Sequence, residues 1–166
     1  MGRTLASRNS RVTAPDGGYP IDRSLLGLHT PLVGPGRALF RPMREEHGQP
    51  RIAPNGLGVR LPEDGPQYGG VVDIYPDDEG AVHPESGGMS VTLDDPFEIP
   101  PHRRPASLGG DGDWPLWRIL SDDLPERLAT RNDRDFHGLV EPSQQMSADE
   151  YVQSLESTQP KWDLET

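Results

Sequence analysis

Apolar residues along this chain come in short runs separated by Gly, Pro and Asp, which is the punctuation of strands and turns more than of long helices. The runs predict six strands: Arg37 to Met43, Gly56 to Leu61, Val71 to Tyr75, Met89 to Leu93, Leu116 to Leu120 and Phe136 to Glu141. One helix is well signalled. Ser147 opens a Ser-Ala-Asp-Glu capping box closed by Glu150, and Met146 just before it is placed to pack on Tyr151 as a hydrophobic staple. Val152 and Leu155 share a helical face with Tyr151, the helix runs to about Ser157, and Trp162 beyond Pro160 is placed to fold back onto the sheet. The fold class expected is α+β, a mostly β body with one late helix.

Composition narrows this picture. The chain has 166 residues, enough for one domain with a tail. Leu, Ile, Val and Phe make up roughly a fifth of it, so the core is small. With 19 Gly and 19 Pro, a helical bundle is excluded. No apolar run approaches the roughly 18 to 20 residues of a membrane span, and the N-terminus carries no secretory leader, so the chain is expected to be cytoplasmic. Cysteine is absent, which removes disulfides, zinc ribbons and thiol nucleophiles.

Charge divides the chain. Residues 1–36 hold Arg3, Arg8, Arg11 and Arg23 against Asp16 and Asp22 and read as a flexible N-terminal arm. Its apolar cluster, Leu25, Leu26, Leu28, Leu32 and Val33, is free either to dock on the body or to stay mobile. Residues 37–166 form the body, whose 12 bases and 25 acids supply more than the whole chain's net charge of −11. An acidic surface repels phosphate backbones, so nucleic acid is not an expected partner.

Two segments put unusual polar groups on or beside expected strands. In residues 87–105, a serine-bearing strand leads to a loop where His102, Arg103 and Arg104 sit among Pro100, Pro101 and Pro105. This is the densest positive spot of the body, and it reads either as an anion clamp or as arginines paired with neighbouring aspartates. In residues 136–142, strand alternation turns His137, Leu139 and Glu141 to one face, where an imidazole and a carboxylate can line a cleft.

The order of these features resembles the ADP-ribosyltransferase-like toxins delivered as type VI secretion effectors. The resemblance rests on Leu39-Phe40-Arg41, the Gly-Gly-Met-Ser-Val strand, the Ile-Pro-Pro loop, the strand ending near Ile119, and His-Gly-Leu-Val-Glu-Pro followed by Met146 and a helix, over roughly residues 37–162. It implies a split β-sheet core around a cleft for NAD as substrate, and a cognate immunity or antitoxin protein as partner. It also implies roles. Arg41 would bind a phosphate, Ser90 would hold the nicotinamide end, and Glu141 would stabilise the oxocarbenium-like cation formed as the nicotinamide–ribose bond breaks. His102, Arg103 and Arg104 would add to cofactor binding, and Phe97, or Trp114 and Trp117, would stack on the nicotinamide. His137 is either a general base or a half-buried structural histidine. Leu139 occupies the position where arginine-directed members of the superfamily carry a second glutamate, which argues against arginine as acceptor.

Other chemistry is not signalled. No phosphate-cradling Gly-x-x-x-x-Gly-Lys loop or calcium loop is present, and neither His83 with Glu85 nor His102 with His137 has a spacing that demands a metal. The functional expectation is thus an NAD-dependent ADP-ribosyltransferase or NAD glycohydrolase acting as a toxin. The alternatives are a non-catalytic acidic module that binds a protein partner, and an RNA phosphotransferase-like NAD enzyme gripping phosphate with His102, Arg103 and Arg104.

Overall fold

A computed structural model describes residues 11–12, 21–22, 31–53, 56–64 and 69–165. Most of the expected flexible arm, including Leu25, Leu26 and Leu28, lies outside the described residues. Within it, β1 (Arg11–Val12) pairs antiparallel with β2 (Ile21–Asp22).

The body is built on one six-stranded sheet. Its strands are β3 (Ala38–Pro42), β7 (Met89–Leu93), β8 (Leu116–Leu120), β9 (Leu128–Arg134), β10 (His137–Pro142) and β12 (Asp163–Glu165). They lie in the order β12-β8-β3-β7-β10-β9, and every pairing is antiparallel. Two small ribbons complete the strands: β4 (Glu45–Glu46) with β5 (Gln49–Pro50), and β6 (Ala81–Val82) with β11 (Met146–Ser147). The single α-helix, α1 (Ala148–Glu156), follows β11. The α+β, mostly β fold expected from the sequence is the fold observed. No helix among the described residues is long and apolar enough to cross a membrane.

Alternation explains how the sheet is packed. Met89, Val91 and Leu93 are buried, with Leu39, Trp117, Ile119 and Val140, against Tyr151 and Leu155 of α1 and the returning Trp162. On the other face Phe40, Leu116 and Ile99 form a smaller cluster. One pairing is short. β3 meets β8 over five residue pairs but meets β7 only at Leu39–Leu93 and Phe40–Thr92. The sheet is therefore two three-stranded halves joined by a two-pair seam, and beyond Phe40 the halves part, which is the split core that the sequence led us to expect.

Two expected strands do not form. Gly56 to Leu61 and Val71 to Tyr75 make only single bridges, Leu57 to Ile52 and Ile74 to Gly87. Their apolar residues are core residues nonetheless, since Leu57, Val59, Leu61 and Ile74 are all buried. At Gly56 the backbone comes so close to the preceding loop that a Cβ there would stand 2.0 Å from the Arg51 carbonyl oxygen. What joins the two segments is a fork. Arg60 Nε and Nη2 donate to Asp73 Oδ2 and Oδ1 at 2.9 and 2.7 Å, and the Asp73 amide donates to the Arg60 carbonyl at 2.8 Å. Conversely, β9 was not expected from the sequence, and it forms one edge of the sheet. Along that edge the Val33 amide donates to Thr130 O at 2.8 Å and the Asn132 amide to Pro31 O at 3.0 Å, so the last residues before the body are seated on it.

The capping box is complete. The Glu150 amide donates to Ser147 Oγ at 3.1 Å, and the Ser147 amide donates to Glu150 Oε2 at 3.3 Å. The helix so fixed carries Tyr151 into the sheet. Its hydroxyl donates to Val140 O at 2.5 Å and accepts from the Met89 amide at 3.2 Å, so the phenol is inserted between β7 and β10 as part of their ladder. Burial pushes its pKa up, which keeps the donor proton in place. Tyr151→Phe preserves the packing but leaves one buried donor and one buried acceptor without this partner, so unfolding should cost on the order of 2 kcal/mol less. Urea denaturation checks this; an unchanged midpoint would mean that Met89 N–H and Val140 C=O pair directly when the hydroxyl is gone.

Candidate active site

Where the two halves part, Arg41 fills the gap. It is the residue after Phe40, so its side chain leaves β3 where β7 no longer pairs with it. Its Nη1 donates to Ser90 O on β7 at 2.7 Å and its Nε to Gly56 O at 3.1 Å. Arg41 and Ser90 also line a cavity of about 430 Å³, together with Arg60, Asp73, His102 and Arg103, and with Trp114 at its wall. Desolvation, then the nearby positive charge of Arg103, pushes the Arg41 pKa down to about 10, with Asp73 opposing the shift and Arg60 adding to it. Arg103 is lowered for the same reasons, burial first and Arg60 second. Asp73 is committed to Arg60, and among the described residues neither Arg41 nor Arg103 is paired with a carboxylate. Guanidiniums crowded into one partly buried cavity favour an anion there.

The strand register carries the site one step further. Ser90 lies opposite Leu139 of β10, so Glu141, two residues along, is on the same sheet face and diagonal to Ser90. The Glu141 carboxylate is only 1 % exposed. Its Oε1 accepts from Arg131 Nε at 2.8 Å and its Oε2 from the Glu85 amide at 3.0 Å. Burial raises its pKa, while the Glu85 N–H and Arg131 pull it back down and the Glu85 charge raises it again.

The single cleft expected from the sequence is thus divided. The cavity brings together Arg41, Ser90, His102 and Arg103, but Glu141 does not line it, because the turn carrying Glu85 and the Arg131 side chain close over the carboxylate. His137 is absent from the cavity as well. It shares the face of Ser90 and Glu141 but sits at the β9–β10 turn, where its Nδ1 is 2.6 Å from Asp133 Oδ1. The basic loop also divides. Arg104 does not line the cavity: its Nη1 donates to Phe97 O at 2.6 Å and Ile99 O at 3.2 Å, and its guanidinium lies 5.6 Å from the Phe97 ring centre. It holds the loop together. Phe97, 59 % exposed, is therefore engaged with Arg104 and does not line the cavity. Of Trp114 and Trp117, Trp117 is buried with its Nε1 donating to Met43 O at 3.0 Å, and Trp114 is the one that lines the cavity.

The partners Arg60, Asp73, Glu85 and Arg131 were not singled out from the sequence as site residues, and nothing in a single sequence marks them. Arg131 lies on β9, whose run of polar residues carries no strand signal. Among the described residues no three His, Asp or Glu side chains come together in a way that could hold a metal ion.

An open antiparallel sheet with one late helix is consistent with the fold of the ADP-ribosyltransferase class. The sequence model of the Tse2 ADP-ribosyltransferase toxins matches residues 37–162, almost the whole body. The chain belongs to that family. No curated protein matches it.

Proposed function

We propose that the chain binds NAD in the seam cavity and breaks its nicotinamide–ribose bond, passing ADP-ribose to an acceptor or to water, and that it acts in this way as a toxin restrained by a cognate immunity protein. The observation that carries this reading is Arg41, a half-buried guanidinium without a carboxylate partner among the described residues, facing a cavity at the seam that also holds Arg103. A pyrophosphate has the matching charge and oxygens that accept from a guanidinium fork. Trp114 supplies a ring face for an aromatic base, and Ser90 stands on the strand between the phosphate end and Glu141. As the glycosidic bond breaks, positive charge grows on the ribose, and the Glu141 carboxylate, beside the cavity and about 7 to 8 Å from Ser90 across the ladder, stabilises it through its charge rather than by contact. Leu139, buried on that same face, offers no second carboxylate to activate an arginine acceptor.

Isothermal titration of the protein with NAD tests this directly. Heat of binding that saturates, and that disappears in Arg41→Ala, is the expected result. Absence of binding by the intact protein would overturn the enzymatic reading.

A further inference from the structure

The Glu141 carboxylate is held by a side chain that it shares. Arg131 directs Nε to Glu141 at 2.8 Å and Nη1 to Glu85 at 3.1 Å, so one guanidinium stands between two acids in very different surroundings. Glu141 is 1 % exposed and the Glu85 side chain 41 %. Glu85 is doubly placed, because its own backbone amide donates to the second Glu141 oxygen. That amide is presented by a left-handed turn, with φ of 66° at Glu85, a conformation that costs a residue bearing a Cβ and is retained here where the surrounding contacts fix it. Gly88 follows with no room for a side chain: a Cβ there would meet Val140 O at 2.5 Å. The turn is therefore pinned against β10 on one side and tied to Arg131 on the other.

We propose that Arg131 is the positioning residue for Glu141, holding its carboxylate charged and aimed on the sheet face, and that Glu85 competes for the same guanidinium and so sets how firmly that carboxylate is held. The assignment of Glu141 to the chemistry rests on the function proposed above; the division of Arg131 between two acids does not. Among the described residues, the charged and titratable groups that act on Glu141 are Arg131 from β9 and Glu85 from the turn before β7, with Tyr151 from α1 near it. Tyr151 stays neutral, so the balance is between Arg131 and Glu85.

The two substitutions act in opposite directions. In Arg131→Gln a buried carboxylate loses its counter-charge, so Glu141 protonates more readily, and the acid limb of the NAD turnover profile should move to higher pH by about one pH unit or more. In Glu85→Gln the competing negative charge goes while the backbone N–H remains, and the limb should move to lower pH. Arg131→Lys, which keeps the charge but loses the fork, should fall between wild type and Arg131→Gln. A purely structural role for Arg131 would change activity or folding without opposite displacements of the limb.

The same balance is read without substrate from the carbon-13 titration of the Glu141 side-chain carboxyl in wild type, Glu85→Gln and Arg131→Lys. Shifts of the Glu141 midpoint downward in Glu85→Gln and upward in Arg131→Lys support the proposal even if NAD chemistry is absent, in which case only the functional reading fails. A midpoint that stays put in both variants overturns the proposal, whatever the turnover.

Discussion

Glu141→Gln should lower NAD turnover by on the order of 100- to 1,000-fold while changing NAD affinity little, because the charge it removes is needed only as the ribose becomes cationic. Glutamine keeps the length and one accepting oxygen. Its NH2 group, however, must face either Arg131 Nε or the Glu85 amide, both of which are donors, so the side chain can satisfy only one of them. Some loss of stability is expected from that mismatch, of about 1 to 3 kcal/mol, and relief of a buried charge offsets part of it. Thermal unfolding of the variant therefore has to accompany the rate measurement. Asp73→Asn and Asp113→Asn provide the comparison, since these are the carboxylates that do line the cavity. If Glu141→Gln retains full turnover, the role given to Glu141 is wrong.

Arg41→Ala is expected to act on binding. Loss of a charged hydrogen-bonding fork to a phosphate costs about 1.5 to 3 kcal/mol, which is on the order of a 10- to 100-fold weaker NAD affinity. The interaction is made in the ground state and the transition state alike, so KM should rise with kcat nearly unchanged. The same guanidinium also bridges Ser90 O and Gly56 O, so the variant should unfold more easily too. Arg41→Lys separates the two effects. It returns the charge without the planar fork and should recover part of the affinity but little of the bridging. An alanine variant with wild-type KM would remove Arg41 from the phosphate site.

Much of this arrangement was legible in the residues. β7 and β8 were readable because their apolar runs are bounded by Gly-Gly, Asp and Pro, and α1 because a capping box states its first residue. Arg41, Ser90, His102 and Arg103, which line the cavity, were readable as polar groups on or beside expected strands. β9 was not, because Arg131, Asn132, Asp133 and Arg134 follow one another in it. At the sheet edge such residues find polar partners sideways, in Glu141, Glu85 and His137, rather than an apolar face to pack against. The segments 56–61 and 71–75 misled for the opposite reason. Their apolar residues signal burial, and burial is what they have, but it is burial in loops whose backbone is tied by the Arg60–Asp73 fork. Which ion pairs close over a carboxylate, and so where a cleft stops, depends on contacts such as Glu85 to Glu141, 56 residues apart, for which the local pattern has no marker.

The way the sheet ends at each side bears on what happens when many copies share one solution. An open row of amides and carbonyls invites a strand from another molecule, and long flat edges are where antiparallel sheets aggregate. Here one edge strand, β12, is three residues long and carries Asp163 and Glu165, so an approaching copy meets like charge after a single turn of pleat. On the other edge, Pro31 and Val33 already occupy Asn132 and Thr130. Neither side among the described residues offers a run long enough to template a second sheet. A chain with so small a core, which spends part of its stability on crowding arginines together, is thereby protected from the association that would otherwise compete with folding.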